Sequence, residues 1–184
     1  MTGRGKVASR YINNQKAPDV SGIPWGRLGN TGENGCGWIA IYNIMASYDA
    51  GISRDDVLRD LSARGGALLW GKLGTSPTAI TGDLRTEFAF VRIAAHTAQW
   101  SALGQQSERV IILFRGKGRT APLHYVAGVR TMYGTESKFR FYNDPCWYGR
   151  KYRDRPISIR EYAAYLTECG CMPLLLWGIA GRKA

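Results

Sequence analysis

The chain lacks any apolar run of about 18 residues, so no segment reads as a bilayer-spanning helix. Its first 20 residues are polar and carry no short apolar core, so no secretory signal is visible. Cysteine is sparse: Cys36, Cys146, Cys169 and Cys171, with no C-x-x-C pair and with both histidines far from them in sequence. That pattern excludes a disulfide scaffold and offers no zinc-ligand spacing, so no metal and no cofactor are expected, and the thiols are expected free in a reducing compartment. No repeat or low-complexity tract is present. Acidic residues are few, 14 against 25 Lys and Arg, for a net charge of +11, and 18 of the basic residues are arginine. Such a balance favours an anionic partner (nucleic acid, an acidic protein surface or an anionic membrane), with solubility alone as an equal alternative.

What is present is ordinary globular composition, 45% hydrophobic and 21% charged over 184 residues. A chain of this size buries roughly 70% of its unfolded surface and folds without staples. Residues 1–22 read as a basic arm or linker, because Arg4, Lys6, Arg10 and Lys16 face only Asp19 and apolar content is low. Residues 23–184 read as one domain. A glycine-rich loop, residues 26–37, precedes a helix whose apolar residues Ile41, Ile44, Met45 and Tyr48 fall at helical spacing and spread to the other faces, which predicts burial all round. Ser53-Arg54-Asp55-Asp56 predicts a capping box opening a second helix that ends at Gly65-Gly66. A third helix is expected from Pro77 to about Phe88. The period then changes, and strands are expected at 91–95, 110–114, 124–129, 139–142 and 174–179. Ser158-Ile159-Arg160-Glu161 predicts a second capping box and one late helix. Helices first and an antiparallel sheet after them make an α+β fold.

Cys36 is placed at the start of the first of these helices. Unpaired amide N–H groups and the positive end of the helix dipole favour a thiolate there, although a lone cysteine is more often a small buried side chain. His124 lies in an apolar strand, where a polar ring needs a partner; it is either a core histidine bonded to backbone or a base that activates a cysteine. The following strand ends in Asn143-Asp144-Pro145, which is either turn chemistry or an acid that orients the imidazole.

The order Cys, His, Asp on a helix start, a strand and the end of the next strand resembles the papain-like cysteine peptidases. The closest likeness is to the bacteriocin-processing type, which cuts leader peptides after a double glycine. The motifs that carry it are Cys36-Gly37, His124-Tyr125-Val126-Ala127-Gly128 and Asp144-Pro145, within a likeness spanning roughly residues 25–180. The resemblance implies a papain-like fold with the nucleophile on a central helix packed on an antiparallel sheet, and a Cys36–His124–Asp144 triad. In that family a glutamine six residues before the cysteine assists the oxyanion; here that position is Asn30, one methylene shorter, which would act beside the Cys36 amide. Asn34 is a weaker candidate for that role. Asn143 competes with Asp144 as the residue that orients His124. Trp38, on the first turn after Cys36, reads as core or as the wall of a substrate-binding cleft, and Trp147 and Tyr148 are expected to line the substrate groove. His96 reads as a surface or capping residue, and Cys169-Gly170-Cys171 as two small side chains in a turn.

The implied activity is hydrolysis of a protein or peptide after small residues, with Gly-Gly as the first candidate. The site of action would be cytoplasmic, in a monomer that serves as a processing enzyme or as an antibacterial effector toxin delivered into a target cell without a cleavable signal. An immunity or inhibitor protein would be its natural partner. Seven basic residues in 138–160 suggest an acidic or nucleic-acid-bound substrate. The same triad would also serve a transglutaminase, a deamidase or a peptidoglycan amidase, and a basic nucleic-acid-binding module without catalysis is the alternative from another class.

Overall fold

The structure is a computed structural model. It describes residues 10–117, 122–133, 136–145, 152 and 155–183; of Met132, Tyr133 and Glu136 it describes the backbone alone. The helix expected after the glycine loop is α3, Cys36–Tyr48, and residues 36–46 are buried throughout it. Before it lie a turn of helix α1 (Pro18–Ser21), a two-residue hairpin of β1 (Pro24–Trp25) and β2 (Gly29–Asn30), and a second turn, α2 (Thr31–Asn34). After it come α4 (Arg54–Ala63), α5 (Pro77–Glu87), β3 (Phe88–Ala94), α6 (Thr97–Gln106), β4 (Arg109–Arg115), β5 (Leu123–Tyr133), β6 (Glu136–Tyr142), α7 (Ile159–Glu168) and β7 (Met172–Arg182). The fold is α+β, and its five-stranded sheet is antiparallel throughout in the order β3-β7-β4-β5-β6.

Side-chain alternation on the strands sorts the core into two parts. Ile111 and Leu113 of β4, Tyr125 and Ala127 of β5, and Trp177 and Ile179 of β7 face α3, α4 and α5. Val110, Ile112 and Phe114, with Val126, Phe141 and Leu176, face α6 and α7 on the other side. Each buried tryptophan keeps a partner for its indole N–H, as a polar group removed from water must: Trp25 on the Gly74 carbonyl, Trp38 on Thr31, Trp100 on the Ala94 carbonyl and Trp177 on Thr81.

Two local readings differ in detail. Ser53 caps α4 by accepting from the Asp55 amide at 3.2 Å, whereas Asp56, expected to reach back, pairs with Arg59 at 2.7 Å. Ser158 and Glu161 form the reciprocal capping box as expected. Helix α6 was not expected. It turns inward only Trp100, Leu103 and Gly104, and its N-cap residue, His96, makes no side-chain cap.

Residues 10–22, within the expected arm, pack on the domain. The Ile12 amide donates to Asn43 Oδ1 and Asn43 Nδ2 donates to the Ile12 carbonyl, both at 2.8 Å, on a fully buried stretch of α3. Ile12 and Val20 are themselves buried, and Tyr11 stacks on Tyr142 with ring centroids 4.3 Å apart.

Candidate active site

Strand β6 pairs with β5 only from Ala127 onward, where Ala127 faces Tyr142. The edge of β5 before that point is open, and the N-terminus of α3 fills it. The Cys36 thiol donates to the Leu123 carbonyl at 3.9 Å, and the Tyr125 amide lies against the same sulfur. The sulfur therefore sits on the backbone immediately either side of His124. The amides of Cys36 and Gly37 also face it, as the first turn of a helix provides. Gly37 is required here for space: a Cβ would collide with the Thr75 side chain, which packs over the start of α3.

His124 is partly exposed, with its ring 5.5 Å from that of Phe114. Its Nε2 lies 2.7 Å from the Asn143 carbonyl. A carbonyl only accepts, so Nε2 carries the proton and Nδ1 holds a free lone pair in the neutral ring. Asn143 adopts a left-handed backbone, φ +61°, which an asparagine tolerates and which turns the chain after β6. Residues 13–15 hold it there. Asn13 Oδ1 accepts from the Asn143 amide at 3.0 Å, Asn143 Oδ1 accepts from the Gln15 amide at 2.9 Å, and Asn143 Nδ2 donates to Gln15 Oε1 at 3.2 Å. The segment before α1 thus fixes the group that orients the histidine. No signal in the sequence marks that long-range link, although Asn143 itself was legible as a rival to Asp144.

Electrostatics describe a neutral resting pair. Removal from water pushes the Cys36 thiol up to about 11, against the smaller opposing pull of the Tyr125, Gly37 and Cys36 amides. The same cause pulls His124 down to about 4, and the Asn143 carbonyl offsets it only in part. The thiolate favoured by a helix start is thus outweighed by burial, since Cys36 is 4% exposed.

The other expected site residues are placed as follows. Asp144 is partly buried, directly after Asn143. The Asn30 side chain is the N-cap of α2 and accepts from the Glu33 amide at 3.0 Å, leaving its Nδ2 as the group with hydrogens to give. Trp38 does not line a groove. It is fully buried, with its Nε1–H on Thr31 Oγ1 at 3.0 Å, because the first turn of α3 directs the indole under α2 and into the core. Trp147 and Tyr148 lie outside the described residues. Among the described residues no group of three His, Cys, Asp or Glu side chains converges on a metal position. A cleft of about 530 Å³ lies elsewhere, between α6 and α7, and none of its lining residues, such as Trp100, Arg160 and Thr167, belongs to this site.

No protein-family model matches the chain, and no curated protein or solved structure matches it either.

Proposed function

We propose that the chain is a papain-like cysteine peptidase that cleaves a protein or peptide after small residues, with Gly-Gly as the first sequence to test. The observation that carries this reading is the seating of the Cys36 sulfur on the β5 backbone around His124, whose Nε2 is fixed by the Asn143 carbonyl. Covalent acyl transfer needs a nucleophile, a base and a group that orients the base, and here these are a thiol at a helix start, a histidine on the strand it rests against and a carbonyl that holds that histidine.

In the proposed reaction His124 Nδ1 takes the Cys36 proton as the sulfur attacks the scissile carbonyl. The S–C bond forms, and the carbonyl oxygen becomes an oxyanion facing the Cys36 amide and Asn30 Nδ2. The tetrahedral centre collapses, the C–N bond breaks, and the imidazolium returns the proton to the leaving amine. Water then attacks the thioester with His124 as base, freeing the acid and the thiol. Asp144, expected to orient His124, directly follows Asn143, whose carbonyl holds Nε2. The setting that suits the resemblance is an antibacterial effector acting in the cytoplasm of a target cell, with an immunity protein as partner.

The test incubates the full chain with peptides carrying Gly-Gly and with controls carrying bulky residues at that place. Cleavage with a thioester adduct on Cys36, trapped by acid quench and mass spectrometry, is the expected result. Cys36→Ala and His124→Ala should each lose at least about a thousandfold in kcat/KM while retaining the fold. Cleavage that survives Cys36→Ala would sink the proposal.

A further inference from the structure

Between α4 and α5 the chain makes a tight loop, 67–75, closed at its base by a bridge between Ala67 and Thr75. Its tip, Leu68–Gly71, contains two non-glycine residues in the left-handed region, Leu69 at φ +42° and Trp70 at φ +55°. Such backbone is costly and persists only where surrounding structure enforces it. The enforcement is visible. The Gly71 backbone lies so close to the Trp25 carbonyl that a Cβ would not fit, and the Leu28 amide donates to the Trp70 carbonyl at 2.8 Å.

The strained backbone turns apolar side chains out of the core. Leu69, Trp70 and Leu73 are 58–63% exposed, and neighbouring Leu28 and Leu68 are exposed as well. Part of the loop's own backbone is bonded within it: Leu68 and Leu73 donate to the Gly74 and Leu68 carbonyls, and Lys72 to that of Leu69. Between these side chains stand Arg27 and Lys72, both exposed and without an ion pair among the described residues. Residues 20–32 and 61–82, which build this surface, contain no acid at all.

We propose that Leu28 and the Leu68–Leu73 loop form a docking surface for an anionic lipid bilayer. Exposed leucines with a tryptophan and interleaved cations match the chemistry of the headgroup boundary, where the indole sits at the interface and the cations meet lipid phosphates. The proposal stands apart from the peptidase reading and requires no catalysis.

The test is co-sedimentation of the full chain with vesicles of phosphatidylcholine alone and of phosphatidylcholine with phosphatidylglycerol. Leu69→Asn/Trp70→Asn keeps the net charge and uses a residue that accepts the left-handed backbone, so it should fold, as a thermal melt checks. Arg27→Glu/Lys72→Glu is the second variant. Expected are binding to the mixed vesicles and a loss of about tenfold or more in either variant, with bromine-labelled lipid quenching fluorescence that the Trp70 substitution removes. Any of three results overturns the proposal: no binding to mixed vesicles, equal binding by the apolar variant, or a dimer of the wild-type chain that this variant abolishes.

Discussion

Alkylation of Cys36 separates a resting neutral pair from a resting ion pair. Burial holds the thiol near about 11 and the imidazole near about 4, so between those limits both groups are uncharged. The thiolate fraction at about pH 8 is then about 10⁻³, against about 0.24 for an unperturbed thiol near 8.5. A more basic thiolate attacks faster, returning about tenfold. The net expectation is that iodoacetamide labels Cys36 about 20-fold more slowly in the folded chain than in the same chain unfolded in urea. Occlusion of a residue that is only 4% exposed adds to the difference. Between about pH 7 and pH 10 the folded rate should climb about tenfold per unit, as a thiol titrating well above that window requires.

The assay follows the Cys36 peptide by mass spectrometry after timed quenches, in the folded and urea-unfolded chain, at each pH. A rate that stays flat from about pH 5 to pH 8 and exceeds that of the unfolded chain would refute the reasoning, because only a preformed thiolate behaves so. His124→Ala supplies a second criterion. A neutral pair predicts the same pH slope without the ring, whereas an ion pair predicts that the flat low-pH rate disappears.

Acid stability carries the next prediction. The folded His124 pKa, about 4, lies below the ordinary value near 6.5, so its contribution is present above about 6.5 and is lost as pH falls toward 4. The loss reaches about 3 kcal/mol at most, and urea titrations of wild type and His124→Gln should converge by that order across the window; a constant gap would refute it. Asp83 acts oppositely, because burial raises it to about 6 and acidification relieves its cost, so the wild-type curve alone is flatter than the difference. Asn43→Ala should cost about 2–3 kcal/mol by stranding the Ile12 amide and carbonyl, and should open residues 10–22 to limited proteolysis. Unchanged stability and unchanged cleavage together would show that this segment is not held by Asn43.

The elements were legible where the pattern was strong. Short, largely apolar segments located the cores of all five sheet strands, and all-round hydrophobicity marked α3 as buried, because the helix is covered by β4, β5, α4, α5 and the 10–22 segment at once. Helix α6 was not legible: ten residues with three inward positions and no side-chain cap resemble an irregular connection. Trp38 stayed open between core and cleft wall because an aromatic one turn into a catalytic-looking helix suits both, and its burial with the indole N–H on the Thr31 hydroxyl decides for the core. The orientation of His124 was legible only as an open choice between Asn143 and Asp144. It depends on Asn13 and Gln15 reaching across some 130 residues to Asn143, and no periodicity encodes such a link.

Burial also sets the reactivity of Cys36 and His124 in the proposed mechanism. Moving a proton from a thiol near 11 to an imidazole near 4 spans about 7 pKa units, or about 10 kcal/mol if the two charges ignored one another. Their attraction at contact recovers about 4–5 kcal/mol at an effective dielectric constant of about 20. About half of the penalty is left, so in the proposed mechanism a resting thiolate is disfavoured and transfer has to coincide with attack. The developing charge then passes from sulfur to the carbonyl oxygen, where the Cys36 amide and Asn30 Nδ2 receive it. Asn30 has a donor to offer because its Oδ1 is already committed to the Glu33 amide. In that mechanism a substrate that places a carbonyl on the sulfur is part of the activating machinery, and without one the thiol reacts slowly with oxidants and alkylators.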